Sequence, residues 1–237
     1  MSSAPLANHG TGYEVVEQEP PEVLGRNLVS AGQLLAGATS FFFVSFLFAY
    51  FYLRSLNSNG QWDTVVSDSG KILGHPKASI GWGTAVVACY VVSALLVRLG
   101  LADHRAMRRT LWRQKGAAAL AIGVVGLVLQ VVAWTQESFG PTGGGYASVY
   151  FGWTAFLFLF VLGTLLWLEM TLATSLRYRK IASGAPEPGE AAGDRYRSAH
   201  DIRDPLSLVR AELVALSFYW TFLAGIAVLT WIILYLI

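Results

Sequence analysis

Five long apolar stretches, separated by clusters of charge and turn-forming residues, divide the chain at about 28–53, 79–101, 116–135, 147–176 and 211–237. Their cores carry no charge from Leu28 to Leu53, Ile80 to Val97, Ala117 to Trp134, Ala147 to Leu168 and Leu213 to Ile237. The shortest of these cores is 18 residues, and a helix needs roughly 20 apolar residues to cross a bilayer. Hydrocarbon offers no partner to a free N–H or C=O, so each stretch is expected to be helical throughout. The predicted fold is an all-α integral membrane bundle of five transmembrane helices spanning residues 28–237. Residues 1–27 read as a polar, acidic tail, with Glu14, Glu17, Glu19 and Glu22 against the single Arg26. Its Pro20 and Pro21 favour extended chain over helix, and it lacks the basic start and short apolar run of a secretory signal. A flexible loop rich in Gly, Pro, Ala and charge is expected at about 183–204.

Composition agrees with this division. Hydrophobic residues make up 54% of the 237 and charged residues 14%, where a soluble domain carries about 25% charged residues. The net charge of +2 says less than its distribution. Arg98, Arg105, Arg108, Arg109, Arg113 and Lys115 cluster between the second and third stretches; Arg177, Arg179, Lys180, Arg195, Arg197, Arg203 and Arg210 cluster between the fourth and fifth. The first loop holds only Arg54, Lys71 and Lys77, and the third holds no basic residue. The positive-inside rule then places the N-terminus in the cytoplasm and the C-terminus in the periplasm. Tyr52, Trp82, Trp134, Tyr150, Trp153, Trp231 and Tyr235 fall near the outer ends and read as an interfacial aromatic belt, with Trp112 and Tyr178 near the inner surface.

The inventory of reactive groups is sparse. His9 lies in the tail, and His75, His104 and His200 are read as loop residues; the one cysteine, Cys89, reads as a small packing residue. Neither haem ligation nor a copper centre finds a suitable cluster within the stretches, so no catalytic, metal-binding or cofactor-binding residue is expected in this chain. Glu169 is the one carboxylate close enough to a membrane interior to raise a proton relay; the plainer reading is an interfacial group that snorkels or pairs with a base. Glu137 and Glu212 read as solvated helix-end residues. Gly32, Ala36 and Ser40 share one face of the first helix, and Gly123 and Gly126 offer close approach on the third. Phe41, Phe42, Phe43, Phe46 and Phe48 surround the first helix and point to lipid or another subunit on most sides.

Several segments carry a family resemblance. The chain reads Gln130-Val-Val-Ala133-Trp134, then Tyr146-Ala-Ser148-Val-Tyr150-Phe151-Gly-Trp-Thr154-Ala155-Phe156-Leu157. Together with Leu47–Tyr50 and Phe218-Tyr219-Trp220-Thr221-Phe222, these resemble the motifs of subunit III of the haem-copper cytochrome oxidases, over roughly residues 28–237. Five helices match the short bacterial form of that family. Its usual Glu and His positions fall here at Ser40, Ala133, Leu157, Phe160 and Thr221, which marks a divergent member. The resemblance implies a non-redox subunit of a proton-pumping cytochrome c oxidase in a bacterial inner membrane. It implies haem and copper in partner subunits, packing against haem-bearing subunit I with subunit II and further respiratory-complex subunits, and bound phospholipid. No nucleic-acid partner is expected. Gln130, Ser148, Thr154, Thr221 and Glu169 are the candidates for helix-interface or lipid contact, and for the first four an ordinary interhelical hydrogen bond is the plainer reading.

Two other readings stay open on the sequence. One is an accessory subunit of a quinol oxidase or nitric oxide reductase, since another subunit selects the electron donor. The other is a small transporter, against which the uncharged spans and the want of an internal helix-pair repeat both count.

Overall fold

The computed structural model describes residues 21–57, 62, 69–72, 77–182 and 205–237. Five helices organise them: α1 (Pro21–Ser55), α2 (Ile80–Arg105), α3 (Arg109–Gln136), α4 (Gly145–Ala182) and α5 (Pro205–Trp231), the last continuing into a π-helical turn over Ile232–Leu236. All five are long and apolar enough to cross a membrane. Even the shortest, the 26 residues of α2, extends about 39 Å at 1.5 Å per residue, more than a hydrocarbon core of about 30 Å.

The helices outrun the apolar stretches that predicted them. Pro21 opens α1, where the sequence had extended chain; proline has a preset φ and no N–H to satisfy, so it suits a first helical turn. Pro205 opens α5 in the same way, six residues before the predicted start at 211. The α3 helix begins at Arg109 rather than 116, α2 runs to Arg105 and α4 to Ala182. Charge stops a hydropathy block, but Arg, Lys and Gln are good helix formers, so each helix continues into the polar zone. The expected loop at 183–204 and the first 20 residues lie outside the described residues.

Side-chain contacts fix the directions of the helices. Ser93 meets Ala119 and Gly126 meets Cys89, so α2 and α3 run antiparallel. Gly123 meets Leu165 and Arg113 meets Ser175, so α3 and α4 are antiparallel too. Thr84 meets Trp231 and Ser93 meets Trp220, opposing α2 to α5. Gly32 meets Ala215 and Thr39 meets Tyr219, which makes α1 and α5 parallel. The result is an up-down bundle in which α5 packs against α1, α2 and α4.

Small residues set the spacing. Gly32 sits on Ala215 and Ala36 is buried, so the small-residue face of α1 is spent on α5. Gly123 receives Leu165, and Gly126 receives the Tyr90 ring. The phenylalanines of α1 divide between two environments. Phe43 is buried, and Phe42 and Phe46 pack on Phe156, Phe160 and Trp153 of α4, whereas Phe41 (80% exposed) and Phe48 (68%) point outward. Leu34, Leu159, Leu166 and Met170 also face outward. Such an apolar exterior is stable in hydrocarbon and would be an aggregation surface in water.

Candidate functional site

Interior polar contacts concentrate at three levels of the bundle. Near the middle, Ser93 Oγ donates to the Ala119 carbonyl (2.7 Å) and accepts from Trp220 Nε1 (3.1 Å), tying α2, α3 and α5 together. Thr39 Oγ1 donates to the Leu35 carbonyl (2.7 Å), so the Tyr219 hydroxyl 3.0 Å away is the donor in the contact that links α1 to α5.

At the end where α2 and α4 begin, a cluster of aromatic hydroxyls is enclosed. Tyr146 donates to the Leu234 carbonyl (2.8 Å) and accepts from the Ala78 N–H (3.1 Å). The Tyr150 and Tyr235 hydroxyls share a hydrogen bond of 3.2 Å. Phe139 packs against Tyr146, Tyr150 and Phe151, while Trp62 bridges Tyr50 and Tyr146 edge-on. The predicted aromatic belt is thereby corrected in part. Tyr150, Trp153 and Tyr235 lie at the expected height but point inward and are buried, as does Trp112 at the other end; Tyr52 is exposed. Sequence position gives the height of a residue along a helix, and only packing decides which way it faces.

Glu137 closes α3 at the same end. It is partly buried and accepts from the Ser79 N–H at 2.9 Å, holding the start of α2. Burial raises its carboxyl above the ordinary carboxylate range, and the Ser79 bond offsets only part of that rise. Glu212 is likewise partly buried, with its carboxylate on Thr171. Neither is the freely solvated group the sequence implied.

At the opposite, basic end, the loop reading of His104 is corrected. It lies in the last turn of α2, 7% exposed, with its ring edge-on to Trp112 at 5.6 Å. Beside it the buried Asp103 pairs with Lys115 at 2.5 Å and, more distantly, with Arg108 at 3.9 Å. The turn from α2 to α3 is only three residues long, which pulls both groups inward. Met107 adopts φ 60° there, and the N–H groups of Ala106, Met107 and Arg108 cap the carbonyls of Ala102, His104 and Asp103. Among the described residues no group of three or more His, Cys, Asp or Glu side chains is placed to hold a metal ion.

The five residues singled out from the sequence separate. Gln130 is buried in α3, and its Nε2 has no hydrogen-bond partner among the described residues. Thr154 is buried between α3 and α4, donating to the Tyr150 carbonyl (2.7 Å) and accepting from Trp134 Nε1 (2.9 Å). Ser148 is exposed and bonds locally to the Gly144 and Pro141 carbonyls, securing the first turn of α4. Glu169 is exposed on the outer face of α4 beside Met170. Thr221 lines a groove between α2 and α5 at the basic end, with its hydroxyl donating to the Ser217 carbonyl at 2.7 Å. The tyrosine cluster and the Ser93–Trp220 link escaped the sequence reading; a serine inside an apolar run and Tyr146 one turn before Tyr150 were the signals that could have found them. No family model matches the chain, and no curated protein matches it.

Proposed function

We propose that this chain is a non-redox subunit, of the subunit III kind, in a haem-copper cytochrome c oxidase of a bacterial inner membrane. Electrons from cytochrome c would reduce oxygen to water in the haem-bearing subunit I and its partner subunit II. This chain would pack against subunit I, hold phospholipid and steady the region of proton uptake. The observation that carries the reading is the joining of two resemblance-bearing segments. Gln130–Trp134 closes α3, Tyr146–Leu157 opens α4, and the Trp134 indole bonds to Thr154 across them. The broad apolar exterior of α1 and α4 offers area for subunit contact within the membrane.

The test uses the full chain, tagged and purified in mild detergent from its native membrane. Subunits of a haem-copper oxidase should co-purify in fixed proportion, with haem absorbance belonging to the partner. Oxygen uptake driven by reduced cytochrome c rather than quinol should identify the donor. A tagged chain that brings down no oxidase subunit, or that carries stoichiometric haem when isolated alone, would overturn the proposal.

A further inference from the structure

Among the described residues, two grooves open at the basic end of the bundle, and their arginines are differently engaged. The groove between α3 and α4, about 580 Å³, is lined by Arg113 with Thr110, Gln114, Ala117, Leu172 and Leu176. Arg113 is already engaged, donating from Nε to the Ser175 hydroxyl (2.8 Å) and from Nη2 to the Ser175 carbonyl (2.7 Å). The groove between α2 and α5, about 640 Å³, presents Arg98 and Arg105. Both are exposed, and neither forms an ion pair or hydrogen bond among the described residues.

Position makes Arg98 informative. It precedes Arg105, the last residue of α2, by about two helical turns, roughly 10 Å of rise. It therefore lies within a membrane-spanning helix, on that helix's outer face. An arginine there carries a cost of up to about 3 kcal/mol at the bilayer centre, less nearer the interface, unless it finds an anion or water. The walls around it divide by chemistry. Leu101, Val214, Phe218 and Phe222 are apolar, while Thr221 lines the groove with its hydroxyl donating to the Ser217 carbonyl of its own helix. Two uncompensated guanidinium groups above an apolar channel complement a negatively charged head joined to an acyl chain. Basic pockets between membrane helices bind anionic lipid heads by this complementarity.

We propose that the α2–α5 groove is a binding site for one anionic phospholipid, its phosphate held by Arg98 and Arg105 and an acyl chain lying along Leu101, Val214, Phe218 and Phe222. This deepens the lipid-holding part of the reading above, but it rests on the chain spanning a membrane and not on the oxidase assignment.

The full chain, purified in mild detergent, is equilibrated with mixed micelles of phosphatidylglycerol and phosphatidylcholine and analysed by native mass spectrometry. One phosphatidylglycerol should be retained in preference to phosphatidylcholine. R98Q/R105Q should weaken that retention about thirtyfold, at roughly 1 kcal/mol for each arginine removed. R98K/R105K, which keeps both charges, should hold most of it, and R109Q, at the same end but outside the groove, should hold it all. An unchanged adduct in R98Q/R105Q, or equal retention of the two lipids, overturns the site. So does displacement of the adduct by millimolar inorganic phosphate alone, which would mark a simple anion site. A photo-cross-linker at Phe218 should capture lipid. Capture of the chain's own acidic segment around Glu187, Glu190 and Asp194, or of another polypeptide, overturns the proposal. Because these measurements need no oxidase partner, their failure and the failure of the oxidase reading are told apart.

Discussion

At the scale of single residues, the closest helix approach depends on glycines whose missing side chains are replaced by a neighbour's ring or branch. Gly126 is the clearest case: a Cβ there would come within 2.6 Å of the Tyr90 ring and 3.1 Å of the Cys89 Cβ. Tyr90 is 1% exposed, and a ring buried in a close-packed interior shifts only at a cost. In a bundle without a hydrophobic driving force between helices, such fit supplies most of the association energy. Gly126→Ala should therefore destabilise the protein by about 1–3 kcal/mol, as overpacking generally does. Gly163→Ala is the control, since nothing lies within 4 Å of its added methyl; alanine's better helix propensity should leave it neutral or slightly stabilised. Thermal unfolding of the two purified variants in detergent checks both, and equal midpoints would show that α2 and α3 can separate to admit the methyl. The spacing of Gly123 and Gly126 made a close-approach face legible in the sequence, because small residues have few other uses in a membrane helix. The occupants of that space were not legible: Leu165 and Tyr90 come from other helices, and a single sequence does not pair them.

Among the elements, existence was easier to read than extent or facing. Apolar runs gave five helices because a bilayer imposes a minimum length, but the same runs ended too early wherever helix continued among Arg, Lys and Gln. His104 was assigned to a loop for that reason, and its burial follows from the three-residue turn after α2. The join between α3 and α2 at the far end was also hidden, because Glu137 and Ser79 are remote in sequence. There the Glu137 carboxylate holds the first turn of α2 through the Ser79 N–H, while burial raises its carboxyl above the ordinary range. The linkage has a definite sign. A folded state that binds its proton more tightly than the unfolded chain is favoured at low pH, and this contribution is lost as pH rises through the raised folded value. The unfolding midpoint of the natural protein should therefore contain a component that declines from the ordinary carboxylate range upward. Glu137→Gln keeps the amide oxygen that can accept from Ser79 and removes the titration, so its midpoint should lack that component and exceed the natural one at neutral pH. A difference between the two proteins that stays constant with pH would place the Glu137 carboxyl in ordinary solvation.

For the whole molecule, the alternating helix directions turn a charge pattern along the chain into a charge difference between two ends. Arg26, Arg98, Arg105, Arg108, Arg109, Arg113, Lys115 and Arg210 gather where α1, α3 and α5 begin, while Arg54, Lys71 and Lys77 lie toward the other end. The sequence contained this asymmetry in its loops, and it contained the segments that resemble an oxidase subunit. It did not contain the arginine groove, which exists only once α2 and α5 are packed side by side. If the basic end faces the cytoplasm, as basic loops generally do, five spans leave the C-terminus on the other side. That orientation can be measured in intact cells with a membrane-impermeant thiol reagent, in a Cys89→Ala background that removes the one native thiol. Cysteine placed at Met107, exposed in the α2–α3 turn, should stay unlabelled until the membrane is opened. Cysteine placed at Ser138, exposed just beyond α3, should be labelled at once. A reporter that functions only outside the cytoplasm should be active when fused after Ile237 and silent when inserted at the Met107 turn. The opposite pattern in both experiments would reverse the orientation, put the arginine groove in the outer leaflet, and remove the cytoplasmic face on which a proton-uptake role depends, while leaving the bundle itself intact.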